Sequence, residues 1–342
     1  MRSSPLPPPP RRSSKPRRTV SIIGTGSYVP KRVMTNRELE QMVDTSDEWI
    51  RTRTGIAERR IAAPDESTSD MATEAALAAM EQAQVTADEI DLIIVATVTP
   101  DTAFPATACW VQKRLGAMRA ACFDVSAACA GFLYALEIAQ QFISTHVYNT
   151  VLIIGADKLS AITDWTDRNT CVLFGDGAGA AVLRNRPNSH GVISTYMGSD
   201  GTFTDILIMP GGGSRCPITP ENLSKRLNTI KMAGKEVYKQ AVTSMFTAAN
   251  RALEDAGLKY EDIACVIPHQ ANFRIIEAIA ERMRLPMDKF YVNLDRFGNT
   301  SAAAVAMALD EAHRNQRIKI GDYILLVVFG GGLTWASSVI QW

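Results

Sequence analysis

The stretch GFLYALEIAQQFISTHVYNTVLIIGAD, residues 131–157, and its echo SAAAVAMALDEAHRNQRIKIGDYILLVVFG, residues 301–330, decide the fold. Each starts on small residues, runs on as an amphipathic helix, passes a polar link and ends in an apolar run of strand length. A second pair stands upstream at a similar separation: MEQAQVTADEIDLIIVATV (80–98) and NRALEDAGLKYEDIACVIP (250–268) share a helix, a turn, an acidic cap and a buried strand. A duplicated half of roughly 150–170 residues is the simplest account of both pairs. Further apolar runs, VSIIG at 20–24 and GAAVL at 179–183, complete an α/β pattern of sheets covered by helices. The expected organisation is a tail at 1–19, one half at 20–190 and a second at 191–342.

Composition narrows the function. The 342 residues are 46% hydrophobic and 21% charged, enough to build a large core. Lys and Arg (36) balance Asp and Glu (36), but six of the basic residues (Arg2, Arg11, Arg12, Lys15, Arg17, Arg18) fall in the first 18 positions. That leaves 30 basic against 36 acidic residues in the remainder, which argues against a nucleic-acid partner. The Pro-, Ser- and Arg-rich opening is expected to be disordered. No apolar run reaches the ~18–20 residues of a membrane span, and the six scattered cysteines lack zinc or redox spacing. A soluble, cytoplasmic protein is expected, with no metal and no membrane association.

Three residues suggest chemistry. Cys129 sits in DVSAACAGF (124–132), where a strand meets a helix start built of small residues. The helix dipole there is expected to stabilise a thiolate and lower the thiol pKa. The other cysteines, Cys109, Cys122, Cys171, Cys216 and Cys265, read as packing residues. Among the four histidines only His269 ends a buried strand and opens a helix, in PHQANFRI (268–275), at a sheet edge where α/β proteins place their sites. His146, His190 and His313 fall in polar links. Asn299, in FGNTSAA (297–303), precedes the helix that mirrors the one after Cys129, so the duplication offers both groups to one place. Taken alone it also fits an ordinary helix cap. A neutral His with an Asn amide can donate two hydrogen bonds to a developing enolate oxygen. The run Gly330–Gly332 ends the last long strand, where a bare backbone N–H could meet an acyl oxygen.

From about Val20 to Trp342 the chain resembles the β-ketoacyl-acyl-carrier-protein synthase III family of condensing enzymes. The resemblance rests on TSDEWIRTRTGIAERR (45–60), DVSAACAGF, FGDGAGAAVL (174–183), PHQANFRI, FGNTSAA and GGGLTWASS (330–338). It implies a thiolase-like fold, two duplicated α/β halves packed as an α-β-α-β-α sandwich. It also implies decarboxylative condensation of an acyl-CoA, with acetyl-CoA the expected primer, and malonyl-acyl carrier protein. The product would be a 3-oxoacyl-carrier protein that initiates fatty acid synthesis. By motif match Cys129 is the nucleophile, His269 and Asn299 serve decarboxylation, and the Cys129 and Gly331 N–H groups form the oxyanion hole. Trp49 and Arg168 match a pair that sandwiches adenine. Thr45 and Arg53 match nearby coenzyme A contacts, and Arg274 a basic residue at the tunnel mouth. Phe104 matches a residue reaching into the partner's acyl pocket, which implies a homodimer. No cofactor beyond the thioester substrates is implied.

Two features depart from the family pattern: the basic opening, and the long PGGGSRCPITPENLSKR stretch (210–226) at the expected rim of the acyl pocket. Thiolases would need a second cysteine in GGGLTWASS, and chain-elongating synthases a histidine at position 299. Chalcone-type synthases share Cys, His and Asn, but the flanking motifs here match the fatty-acid group better. A specialised relative making a polyketide, quinolone or long-chain ketone stays open. A Cys-His-Asn hydrolase and a non-catalytic carrier-binding scaffold are remoter readings.

Overall fold

The computed structural model describes residues 18–186 and 190–342. The first half supplies β1 (Val20–Tyr28), α1 (Asp47–Thr54), α2 (Thr68–Ala83), β2 (Leu92–Ala96), α3 (Thr107–Leu115), β3 (Ala121–Val125), α4 (Gly131–Ser144), β4 (Thr150–Lys158) and β5 (Asp176–Asn185). The second supplies β6 (Val192–Ser199), α5 (Gly234–Ala256), β7 (Ile263–Pro268), α6 (Phe273–Met283), α7 (Ala303–Arg314), β8 (Tyr323–Gly330) and β9 (Thr334–Gln341). One sheet runs β1-β5-β4-β2-β3 and the other β6-β9-β8-β7. The repeat explains this matched order. In both halves one matching pair, β4 with β2 and β8 with β7, is parallel while the pairs toward β1 and β6 are antiparallel, and the first sheet adds a second parallel pair, β2 with β3. Even β3 has a remnant in the second half, a parallel bridge from Val266 to Phe290.

Local chemistry repeats too. Before each of β2 and β7 a carboxylate three residues ahead accepts the backbone N–H that opens a tight turn: Glu89 from Thr86 at 2.9 Å and Asp262 from Lys259 at 2.8 Å.

Alternation along the strands sorts side chains into layers. In the first sheet Leu92, Ile94, Val151, Ile153 and Leu183 face the central layer, while Ile93, Val95, Leu152, Ile154 and Val182 face α2 and α3. In the second, Ile267, Ile324, Leu326 and Val328 face the centre, and Val266, Leu325, Val327 and Val339 face α5 and α6. Helices α4 and α7 fill the middle with Phe132, Leu136, Val305 and Leu309. The result is the expected five-layer α-β-α-β-α sandwich. A fully buried strand is apolar on both faces, and for that reason these segments read as continuous apolar runs.

The start of the middle helix α7 must approach β4 and β5 closely. A β-carbon on Gly155 would stand 2.3 Å from the carbonyl oxygen of Ala302, and one on Gly179 would stand 2.6 Å from the Ala306 β-carbon. Beside Gly155, the buried carboxylate of Asp157 accepts the Val98 N–H at 2.8 Å from its own half and the Ala302 N–H at 3.2 Å from the other.

Residues 1–17 of the expected tail lie outside the described residues. Arg18 and Thr19, also assigned to the tail, belong instead to the folded body. The Arg18 N–H donates to the Ser144 carbonyl at 3.3 Å and its guanidinium to Asn149 at 2.6 Å, while Thr19 accepts from the Arg186 N–H. Among the described residues no helix is long and apolar enough to cross a membrane.

Gly155→Ala is expected to lower stability by about 1–3 kcal/mol, because the added methyl meets backbone that cannot swing away. Denaturant titration checks this, and an unchanged midpoint would show that the halves are not tightly apposed there.

Candidate active site

Cys129 stands on a single 3-10 turn, Ala128–Ala130, between β3 and α4. Ala128 takes φ +46°, a left-handed conformation uncommon outside glycine, so the chain turns sharply as it reaches the nucleophile. Two groups from the second half hold that turn. The Thr334 hydroxyl donates to the Ala127 carbonyl at 2.9 Å, and Gly330 presses so close that a β-carbon there would lie 2.6 Å from the Cys129 nitrogen. Gly331 follows it, packed against Leu207. The glycine run is thus needed for approach at its first position, a requirement the sequence reading missed.

The thiol is buried, and that burial pushes its pKa up to about 12. This corrects the expectation of a lowered value: loss of water, with the nearby Asp157 carboxylate adding to it, disfavours the thiolate more than the neighbouring Ser301 and the residue's own backbone N–H favour it. At neutral pH Cys129 rests as the protonated thiol.

His269 follows β7, its N–H donating to the Val327 carbonyl at 2.8 Å. Burial drives its pKa down to about 4, so the ring is neutral. Nδ1 is enclosed without a hydrogen-bond partner, which leaves the other ring nitrogen as the one able to meet a ligand. Asn299 is fixed on every side but one. Its N–H donates to Leu173 at 2.8 Å, its carbonyl accepts from Gly175 at 3.0 Å, and its side-chain oxygen accepts the Ser301 N–H at 2.9 Å. With that oxygen committed, the Asn299 amide nitrogen is the group left for a ligand.

Behind Asn299 lies Arg59, wholly buried, whose guanidinium donates to the Val172 carbonyl at 2.8 Å and to Asn36 at 2.7 Å. It anchors the segment 172–175 on which Asn299 leans. Arg59 lies inside the TRTGIAERR motif, but no chemical signal marked it.

Cys129, His269 and Asn299 all line one cavity of about 520 Å³, within the range of small-molecule sites. Trp49, Arg53 and Arg274 line it too, together with Lys235, which the sequence reading did not single out. Arg53, Lys235 and Arg274 are exposed and give one end of the cavity a positive rim. The Arg168 guanidinium lies 4.0 Å from the centre of the Trp49 ring, a cation–π stack at the same end. Thr45 stands just before α1 with its hydroxyl enclosed and unpartnered, outside the lining. Phe104 is elsewhere, 86% exposed on the loop before α3. The 210–226 stretch closes on itself through a Gly211 N–H to Leu227 carbonyl bond of 2.6 Å, and the lining comes from Leu207 and Met232 on either side of it. A larger, more open depression of about 950 Å³ lies over Tyr28 and Trp165. Its Lys158 is committed to the carbonyls of Ala63, Pro64 and Glu66, and it holds none of the three chemical residues.

Models of the family described as 3-oxoacyl-[acyl-carrier-protein (ACP)] synthase III match residues 123–201, and of its C-terminal part residues 253–342. A β-ketoacyl-[acyl-carrier-protein] synthase III of Caldanaerobacter subterraneus subsp. tengcongensis is 59% identical over 94% of this chain and 97% of its own length. The chain belongs to the 3-oxoacyl-[acyl-carrier-protein] synthase III family. Among solved structures, the synthase III of Aquifex aeolicus is 48% identical with a TM-score of 0.88, covering 94% of this chain and 100% of its own. The priming β-ketosynthase of the R1128 polyketide pathway is 36% identical with a TM-score of 0.89, covering 97% and 99%.

The depressed pKa of His269 fixes a sign. Below about pH 6.5 the unfolded chain takes up a proton that the native ring refuses, so this contribution to stability is complete above 6.5 and is lost as pH falls toward 4. An NMR titration is expected to find the His269 ring titrating well below 6.5, and His269→Gln to reduce the loss of stability over that window. A ring that titrates at or above 6.5 would contradict the neutral assignment.

Proposed function

We propose that this chain is a β-ketoacyl-[acyl-carrier-protein] synthase III that joins an acyl-CoA primer, acetyl-CoA first among them, to malonyl-acyl carrier protein. The observation that carries the reading is the convergence of a thiol, a neutral imidazole and an outward-facing amide on one cavity with a positive mouth.

In the first half-reaction Cys129 Sγ attacks the thioester carbonyl, coenzyme A leaves, and one thioester replaces another at little cost. The N–H groups of Cys129 and Gly331 receive the oxyanion. In the second, His269 and the Asn299 amide donate to the malonyl thioester oxygen. Loss of carbon dioxide then places charge on that oxygen, and the carbanion attacks the acyl-cysteine. An imidazole with a pKa near 4 suits this role, since it donates a hydrogen bond without giving up or gaining a proton. Arg53, Lys235 and Arg274 attract the phosphates of coenzyme A and of the carrier's phosphopantetheine arm. A flat base parts Trp49 from Arg168 and takes the place of their direct stack, with Thr45 close by. The chemistry draws on the substrates' own thioesters and calls for no metal or resident cofactor.

The β3 edge supports a homodimer. It ends the first sheet with unpaired backbone groups and half-buried Phe123 and Val125, and the nearby Phe104 is too exposed to serve a lone chain. A cytoplasmic setting accords with six free cysteines. Initiation of fatty acid synthesis is favoured over a polyketide role because identity is higher to the synthase III relatives than to the polyketide priming enzyme.

His269→Ala and Asn299→Ala are expected to retain acylation by acetyl-CoA within a few-fold while decarboxylation of malonyl-carrier protein falls about 10²–10³-fold. Normal condensation by both variants would remove these residues from the mechanism. Light scattering should report a dimer, and a monomer at working concentration would refute the edge-strand reading.

A further inference from the structure

Asn299 takes its place from a pairing that reaches beyond the cavity. The segment 173–175 runs beside it as a parallel bridge, Phe174 to Asn299. The Asn299 N–H donates to the Leu173 carbonyl at 2.8 Å and the Gly175 N–H to the Asn299 carbonyl at 3.0 Å. As an isolated bridge one pair long, it has no neighbouring ladder bonds to fix its register.

Arg59 supplies that support from behind. It stands on the short strand Glu58–Ile61, which pairs with Arg32–Thr35. Its stem lies against both chains of the bridge: a β-carbon on Gly175 would stand 3.0 Å from the Arg59 β-carbon, and one on Gly298 3.3 Å. Its guanidinium spans three acceptors. Nη2 donates to the Val172 carbonyl at 2.8 Å, and Nη1 to the Asn36 side-chain oxygen at 2.7 Å and the Met34 carbonyl at 3.4 Å. Asn36 is itself tied down, its amide nitrogen donating to the Ile56 carbonyl at 2.8 Å and to Asp47 at 2.8 Å. Through Arg59 the Val172 carbonyl is thus fastened to a separate, fixed part of the first half.

Stability alone does not call for this group. The guanidinium is wholly buried, its Nε has no acceptor, and no carboxylate stands among its hydrogen-bond partners. Burial lowers its pKa to about 10, which leaves it charged at neutral pH. A buried, partly satisfied cation commonly adds less to stability than an apolar side chain of its size. What it adds is position, because a rigid fork holds acceptors of separate segments at fixed spacing, and neither an apolar chain nor a lysine does so.

Resting on the function proposed above, we propose that Arg59 is a positioning residue for decarboxylation, setting the Asn299 amide through the segment 172–175. It touches no substrate. Two backbone bonds tie Asn299 to the segment that Arg59 holds, and the Ser301 N–H fixes its side-chain oxygen, so a shift of the segment moves Nδ2 relative to the malonyl thioester oxygen. The acylating group is set differently. Thr334 and Gly330 fix the turn of Cys129 through contacts that do not run through Arg59.

Arg59→Lys tests this, since lysine keeps the charge and loses the fork. Single-turnover acylation by acetyl-CoA and decarboxylation of malonyl-carrier protein are measured separately on the folded variant. Decarboxylation is expected to fall about 10–10²-fold while acylation stays within about threefold. The same change made in Asn299→Ala should alter the remaining decarboxylation by less than about threefold, because the group that Arg59 positions is gone. A merely structural arginine gives the opposite pattern: both half-reactions fall together, and the loss persists without the Asn299 amide. Either of those results, or decarboxylation within about threefold of the parent, would overturn the assignment. Should Arg59→Lys fail to fold, Asn36→Ala decides, because it frees Nη1 and leaves Arg59 in place. Decarboxylation should then fall at least about threefold more than acylation, and equal effects would refute the positioning role. A native protein that decarboxylates no malonyl-carrier protein would instead defeat the functional reading beneath it.

Discussion

The close meeting of the two halves at Asp157 is the constraint on which the rest of the structure depends. A carboxylate withdrawn from water is costly unless hydrogen bonds replace those it loses. Here its donors come from both halves: Val98 and Thr99 beyond β2, and Ala302 at the start of α7. Asp157 thereby caps a helix of the other half, and the bare backbone of Gly155 lets that helix come near enough to be capped. Fixing the start of α7 fixes Ser301 and, through the Ser301 N–H, the side chain of Asn299. On the opposite side Gly330 and Thr334 of the second half set the turn that carries Cys129. Each half therefore positions the chemical residue of the other.

The same burial sets the electrostatics. Without water the cavity favours uncharged forms, so the thiol rises, the imidazole falls, and both rest neutral. A neutral His is suited to stabilising an enolate. A neutral thiol is less suited to attack, so the burial that suits the histidine works against the nucleophile. The charged side chains that line the cavity, Arg53, Lys235 and Arg274, are exposed and lose little by remaining ionised.

Much of this was legible in the sequence. The duplicated helix–link–strand segments gave the two sheets and the central pair of helices, because apolar periodicity reflects burial directly. Cys129, His269 and Asn299 stood out because each ends or begins an element at matching places in the repeat. What escaped notice was whatever depends on close approach across the halves. Asp157 ends an apolar strand and Ser301 sits one residue past a threonine in FGNTSAA, and neither position carries a local pattern that distinguishes it from an ordinary cap. The thiol pKa was misjudged for the same reason: the dipole is visible in the local chain, whereas desolvation comes from the second sheet. Arg59 was hidden because its partners, Asn36 and Val172, are distant in sequence.

The central claim is that the acyl group in transit is carried on Cys129. Intact-protein mass spectrometry with peptide mapping, after acetyl-CoA and then malonyl-acyl carrier protein, tests it most directly. A single acetyl adduct on Cys129 that disappears as 3-oxoacyl-carrier protein forms is the expected result. An adduct on another residue, or one that persists when malonyl-carrier protein is added, would contradict it.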